Sequence, residues 1–368
     1  WLRDTLGQLK NPSKIRNKAK PKYLKATLRP YQKNGYNWLN QMNDLGFGAC
    51  LADDMGLGKT IQVISFLEKM YETNKESHVL LIVPASLLGN WSKEIDKFAP
   101  RMTYHILHGK TNILDEDCFA TITTYGMALR MECLQERVWD CLILDEAQAI
   151  KNPGTKQTRA IKKIPSQMRI AMTGTPIEND LSNLWSLFDF LNKGLLGSAT
   201  DFKNYTKKVQ AYPEYMSKLK MMVSPFILRR LKTDKSIISD LPDKMEITEH
   251  VDLSKRQIVL YRKEVEKAEE LILESDGMER RGIVLGLLTR LKQICNHPDQ
   301  FIHDTNFNPK DSGKYAMLKK LCETIYEKRE RVLVFTQYKE MCEPLSDYLE
   351  SIFHKKGYII HGGIPAKK

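Results

Sequence analysis

The run Leu51-Ala-Asp-Asp-Met-Gly-Leu-Gly-Lys-Thr60, followed by an apolar-periodic stretch to Tyr71, commits this chain to a short strand, a glycine-rich turn and a helix, in that order. Gly56 and Gly58 let backbone N–H groups close on phosphate oxygens, and the helix that follows aims its positive end at them. Lys59 reaches the β- and γ-phosphates, and Thr60 offers a hydroxyl to Mg²⁺. The turn therefore implies ATP as ligand, wrapped by Asp54, Met55, Gly56, Leu57, Gly58, Lys59 and Thr60. One position departs from the full phosphate-loop pattern: the glycine expected five residues before Gly58 is Asp53. Glycines at a strand-to-helix turn are by themselves ordinary architecture; Lys-Thr and the amphipathic run after it turn this one toward phosphate chemistry.

Farther along, Cys141-Leu-Ile-Leu-Asp-Glu-Ala-Gln148 reads as a buried parallel strand whose tip carries two carboxylates. Asp145 is placed to hold Mg²⁺ through water and Glu146 to polarise the attacking water. An Asp-Glu pair after a strand also occurs as a plain helix start. Its order after the phosphate turn gives it the catalytic reading, with Lys59, Asp145 and Glu146 as the catalytic set.

At 368 residues the chain is long enough for two domains, and no stretch of eighteen apolar residues interrupts it. With no signal peptide either, the expectation is a soluble protein without a membrane role, cytoplasmic and nucleoid-associated in a bacterium, nuclear in a eukaryote. The first residue is Trp1, which suggests that the sequence begins inside a longer gene product. Seven cysteines without Cys-x-x-Cys spacing fit free thiols, and Cys295 and His297 lack the second ligand pair a zinc site needs.

The net charge of +12 is unevenly placed. Residues 1–30 carry nine Lys/Arg against Asp4 alone, residues 201–235 carry nine against three acids, and the remainder is slightly acidic. Two basic segments suggest surfaces for a polyanion, nucleic acid first. For 1–30, charge that merely solvates a domain boundary explains the pattern equally well.

Up to about residue 190, helical and strand patterns alternate: a helix at Arg29–Asn43, a strand at Gly48–Ala52, a helix at Thr60–Tyr71, a strand at His78–Val83 and a helix at Leu87–Phe98. Further strands are expected at Ala120–Thr124, Leu142–Asp145 and Arg169–Thr173. This is the rhythm of a parallel sheet with helices on both faces, which places the ligand at the carboxyl ends of the strands. Helices then dominate through Cys295, and strand patterns return at Val332–Thr336 and Tyr358–Ile360.

Taken together, the ordered runs resemble the Swi/Snf family of ATP-dependent DNA translocases within helicase superfamily two, in a bacterial-type member. The matching segments are Leu28–Gly35, Leu51–Thr60, Val83–Trp91, Thr123–Tyr125, Asp145–Asn152, Thr173–Asn179, Phe226–Leu231, Ile294–Pro298, Ser312–Lys314, Val332–Gln337 and His361–Gly363. The family's own phosphate loop resembles Asp-x-Met-Gly-Leu-Gly-Lys-Thr, which accounts for Asp53. The resemblance implies an α/β fold of two RecA-like lobes with helical protrusions between them. The expected division is a basic lead over 1–24, a first lobe over 25–192, protrusions over 193–300 and an incomplete second lobe over 301–368. The later second-lobe motifs, including the arginine finger, are expected beyond Lys368.

It further implies Arg29 and Gln32 near the adenine, and Thr173, Gly174 and Thr175 as the segment linking hydrolysis to lobe movement. It implies phosphate contacts to double-stranded DNA, without sequence preference, from Ser86, Asn90, Trp91, Thr124 and Tyr125 in the first lobe and Gln337 and Gly362 in the second. Arg229, Arg230 and Lys232 join them as the basic end of 201–235. The expected activity is ATP-driven movement of a monomer along duplex DNA, displacing or remodelling bound proteins without separating strands. A strand-separating DNA or RNA helicase of the same superfamily, and a nucleotide-dependent clamp that holds nucleic acid without cycling, are the competing readings.

Overall fold

The computed structural model describes residues 17–109, 113–174, 181–234, 246–274 and 276–364. The chain divides into two compact units, Trp1–Pro242 and Asp243–Lys368. The first is built on a sheet of seven strands among the described residues, β1 Ala49–Leu51, β2 Val79–Val83, β3 Tyr104–Leu107, β4 Ala120–Thr124, β5 Trp139–Leu144, β6 Ser166–Met172 and β7 Ile227–Leu228. All pairings are parallel and the spatial order is β3-β4-β2-β5-β6-β1-β7. The expected α/β architecture is what the chain adopts, and β6 lies between the strand of the phosphate turn and the strand of the paired carboxylates.

The central strands are apolar on both faces because helices cover both. In β2, Val79, Leu81 and Val83 join one core, while Leu80 and Ile82 join the other. In β5, Cys141 and Ile143 alternate with Leu142 and Leu144 in the same way. The first face is covered by α1 Pro30–Leu45, α2 Lys59–Thr73 and α3 Leu88–Phe98, through Tyr36, Leu39, Phe66, Leu67, Trp91 and Ile95. The second is covered by α4 Tyr125–Arg130 and α5 Lys156–Lys163, with α6 Leu181–Leu191 reaching both cores through Phe188 and Phe190.

One buried group on α2 opposes this packing. Glu68 is fully buried, and neither carboxylate oxygen has a hydrogen-bond partner among the described residues. Burial, with Glu72 adding and Arg101 opposing, pushes its carboxyl from an ordinary 4.5 up to about 7. The folded chain thus holds a proton that the unfolded chain releases, so stability from this group is present below pH 4.5 and is lost as pH rises to about 7. At about 1.4 kcal/mol per unit the loss is a few kcal/mol at most. Urea midpoints at pH 5 and pH 8 should differ by less in Glu68→Gln than in the unaltered chain; an unchanged difference would remove Glu68 as its source.

Two parts of the sequence reading are corrected. Phe226–Leu231, expected among the helical protrusions, instead returns to the first sheet after α7 Ala199–Ala211 and α8 Pro213–Val223. Ile227 and Leu228 pair with Cys50 and Leu51. Phe226 anchors the return, its ring 5.3 Å from Phe47 and 6.3 Å from Phe188 in edge-on contacts.

In the second unit the helices among the described residues are α9 Lys255–Leu273, α10 Gly277–Asn296, α11 Pro298–Ile302, α12 Gly313–Glu327 and α13 Cys342–Phe353. Val332–Thr336 and Tyr358–Ile360 make no ladder among the described residues. A strand exists only through its partner's hydrogen bonds, and here Phe335 and Ile360 are 89% and 91% exposed. Cys295 is a half-buried free thiol, and His297 is buried with both ring nitrogens engaged, by the Asn308 carbonyl at 2.9 Å and the Asp299 N–H at 3.1 Å.

Candidate nucleotide-binding site and its nucleic-acid segments

The phosphate turn is shaped by backbone that only glycine adopts readily. Gly56 and Gly58 have φ of 83° and 75°, and a Cβ on Gly58 would lie 2.5 Å from the Gln32 amide nitrogen. Lys59 opens α2 and its ammonium donates to the Asp53 carbonyl at 2.7 Å, which holds the cation over the turn. Met55 is 70% exposed at the lip, whereas Leu57 is buried against Tyr31. Gln32 accepts from the Arg29 N–H at 3.0 Å and donates to the Leu57 carbonyl at 3.2 Å, so the first helix is tied to the turn through the residue expected near adenine.

Asp53, the departure from the glycine pattern, is the centre of a buried lock. It is fully buried and Arg230 is only 7% exposed. The Arg230 Nε and backbone N–H both donate to Asp53 Oδ1, at 2.8 and 3.1 Å, and its Nη2 pairs with Oδ2. The same guanidinium donates to Gln62 Oε1 at 2.7 Å and to the Tyr31 carbonyl. Two residues on, the Lys232 N–H donates to Asp54 Oδ2 at 2.9 Å. The β7 return is therefore a strap fastened along one side of the phosphate turn, with the guanidinium matching the carboxylate as a fork.

Across β6, the tip of β5 presents Asp145 and Glu146. Asp145 is 7% exposed; its Oδ1 accepts from the Glu146 N–H at 3.0 Å and its Oδ2 from the Trp91 indole N–H at 2.8 Å. Burial raises the Asp145 carboxyl above the usual carboxylate range, opposed by the Trp91 hydrogen bond and, more weakly, by the Lys59 charge. Glu146 stands in the left-handed region at φ 52°, and its Oε2 accepts from Gln148 Nε2 at 2.7 Å. Gln148 Oε1 in turn accepts from the Thr173 hydroxyl at 3.1 Å, and the Thr173 N–H donates to the Leu51 carbonyl at 3.2 Å. A continuous chain of hydrogen bonds thus runs from Glu146 through Gln148 to Thr173 and on to the strand of the phosphate turn. Gly174 approaches Met55, and Thr175 lies outside the described residues.

The donor set suits Mg²⁺. One hydroxyl on the first turn of α2, Thr60, and one oriented carboxylate, Asp145, are what a cation held mainly by phosphates and water requires. Among the described residues no cluster of three or more His, Cys, Asp or Glu forms an all-protein cage.

The segments expected at nucleic acid separate into two groups. Ser86, Asn90, Arg229, Lys232, Gln337 and Gly362 are exposed, the last two in the second unit. Trp91, Tyr125 and Arg230 are buried, with their polar side-chain atoms engaged inside the protein. The Trp91 indole serves Asp145, the Tyr125 hydroxyl donates to the Asp145 carbonyl at 2.7 Å, and Arg230 serves Asp53. Thr124 is also turned inward, its hydroxyl capping α4 by accepting from the Met127 N–H at 3.3 Å. Sequence reasoning missed Asp53 and Gln62 as partners of Arg230 beside the turn. The signal for Asp53 was its own mismatch with the glycine pattern.

Residues 31–300 match the family model described as the SNF2-related domain. The chain is 39% identical over 362 residues to a Bacillus subtilis protein named as an ATP-dependent helicase/translocase, YwqA, covering 95% of this chain and 39% of that protein. It is 34% identical over 357 residues to the human SWI/SNF-related matrix-associated actin-dependent regulator of chromatin subfamily A member 1, covering 91% of this chain and 34% of that protein. Among solved structures, the Sulfolobus solfataricus SWI2/SNF2 ATPase core in complex with dsDNA is 40% identical with a TM-score of 0.61, covering 92% of this chain and 73% of that one. The chain thus spans well under half of the curated relatives, and no described helix is long and apolar enough to cross a membrane. With its lysine-bearing turn, its paired carboxylates and a family match over most of its length, the chain belongs to the family of the SNF2-related domain.

Proposed function

We propose that this chain is the ATP-hydrolysing part of a motor that moves along double-stranded DNA without separating its strands and so shifts or removes bound proteins. The observation that carries the reading is the convergence of Lys59, Asp145–Glu146 and Thr173 at the carboxyl ends of β1, β5 and β6, with Glu146 joined to Thr173 through Gln148. In this reading Lys59 and the turn's backbone amides hold the phosphates, and Thr60 and Asp145 are the residues that would hold Mg²⁺, which would supply neutralising charge to the phosphates. Glu146 takes the proton of the attacking water. The preference for duplex is supported by the solved relative in complex with dsDNA. Exposed Ser86 and Asn90 are the first-unit phosphate contacts and act without reading bases.

The test is ATP turnover and displacement by the full-length protein with blunt duplex, single strands or RNA. Duplex should stimulate turnover most, and a tailed duplex should remain unseparated while a third strand or a bound protein is stripped from it. Separation of the tailed duplex would favour the strand-separating helicase, and stripping without turnover would exclude a motor.

Phosphate contacts also predict the salt dependence. Charge reversal at Arg229 or Lys232, both exposed, should weaken binding on all sequences alike and flatten the log-log salt slope by about one unit each. An unchanged slope would return both lysine and arginine to a solvated face.

A further inference from the structure

Two aromatic side chains leave the segments assigned to DNA and end on the same residue. Trp91 belongs to α3, directly after exposed Asn90, and is 1% exposed. Its indole N–H donates to Asp145 Oδ2 at 2.8 Å. Tyr125 begins α4 at the end of β4 and is 7% exposed; its hydroxyl donates to the Asp145 carbonyl at 2.7 Å. The carboxylate side chain and the main chain of Asp145 are therefore oriented by different elements, neither of which is part of the phosphate turn.

We propose that Trp91 and Tyr125 are positioning residues that transmit engagement of DNA on the α3 and β4 segments to the metal-holding carboxylate of Asp145; the inference rests on the function proposed above. Asn90 and Trp91 are neighbours on the first turns of α3, so a pull on the exposed amide moves the buried indole with the helix. The indole has a single donor and no acceptor, so a rotation that misdirects it leaves Asp145 Oδ2 without that bond inside a site where burial already penalises charge. Such supporting bonds to a metal-holding carboxylate typically govern metal affinity by roughly tenfold or more. Tyr125 fixes the backbone from which the carboxylate projects, so the two contacts together set its direction.

Trp139 provides the internal control. It is equally buried, at 1%, on β5 itself, but its indole donates to the Leu134 carbonyl at 3.0 Å, away from the carboxylates. The experiment is ¹H–¹⁵N spectroscopy of the full chain, with the Trp91 indole resonance assigned by its loss in Trp91→Phe, during titration with blunt duplex DNA in the absence of nucleotide. The Trp91 resonance is expected to shift in step with duplex binding while that of Trp139 stays in place. In parallel, the Mn²⁺ concentration for half-maximal binding of a fluorescent ATP analogue should fall on adding duplex to the unaltered chain. In Trp91→Phe it should be raised roughly tenfold and respond little to duplex. Duplex that binds without moving Trp91, or a Trp91→Phe chain whose Mn²⁺ requirement responds to duplex as before, overturns the relay alone. Duplex that does not bind at all overturns the proposed function and the relay with it.

Discussion

Arg230→Met is expected to cost about 3–5 kcal/mol of stability and to abolish nucleotide binding, although Arg230 touches no part of the nucleotide in the reading above. The reason is Asp53. Its carboxylate is fully buried, and its strongest partners are the guanidinium and backbone N–H of Arg230. Gln62 Nε2 supplies only a longer bond, at 3.2 Å. Methionine would fill much of the space but leave a buried charge uncompensated, and the Asp53 carbonyl that steadies Lys59 belongs to the same residue. Removing both charges tells whether the lock or the packing matters. Asp53→Ala with Arg230→Met should cost less than Arg230→Met alone, because replacing a buried ion pair by apolar groups is often close to neutral. Urea midpoints and fluorescent-nucleotide affinities of the single and double variants decide this. A single variant within about 1 kcal/mol of the unaltered chain, still binding nucleotide, would reduce the lock to an incidental contact.

The same residue shows where the sequence was legible and where it was not. Glycine spacing, Lys-Thr and two carboxylates at a strand tip are local patterns, so the phosphate turn and the tip of β5 could be read directly. β2 and β4 could be read from continuous apolar or β-branched runs. β7 has two residues, too few for any periodicity, and its partner β1 is far away in sequence. The basic character of Arg229, Arg230 and Lys232 was visible, but not that the middle one faces a buried aspartate while its neighbours face water. The inward turn of Trp91 and Tyr125 was hidden for the same reason: the motif locates the segment, and only tertiary packing decides which side of it meets solvent. Val332–Thr336 has the composition of a strand, yet composition cannot supply the partner that a ladder needs.

The second large effect belongs to Glu146. Glu146→Gln is expected to leave ATP affinity within a few-fold of the unaltered chain and to lower hydrolysis by about 10²–10⁴. Binding should survive because the turn, Lys59 and Asp145 are untouched, and because the new amide oxygen can still accept from Gln148 Nε2, as Oε2 does at 2.7 Å. The tie from Gln148 to the Thr173 hydroxyl would then persist, and with it the spacing between β5 and β6. What the substitution removes is the negative charge and the basicity that polarise water. Lys59→Ala should behave in the opposite way, losing nucleotide affinity first, because it deletes the ammonium that opens α2 and is held at the turn by the Asp53 carbonyl. Equilibrium binding of a fluorescent ATP analogue and single-turnover hydrolysis, measured on both variants, separate the two roles. If Glu146→Gln hydrolyses within about threefold of the unaltered chain, a factor far below that of a general base, then Glu146 serves only to hold Gln148 and the water is activated by another group. If instead it loses ATP binding, its charge shapes the phosphate turn, and the division of labour between β1 and β5 argued here fails.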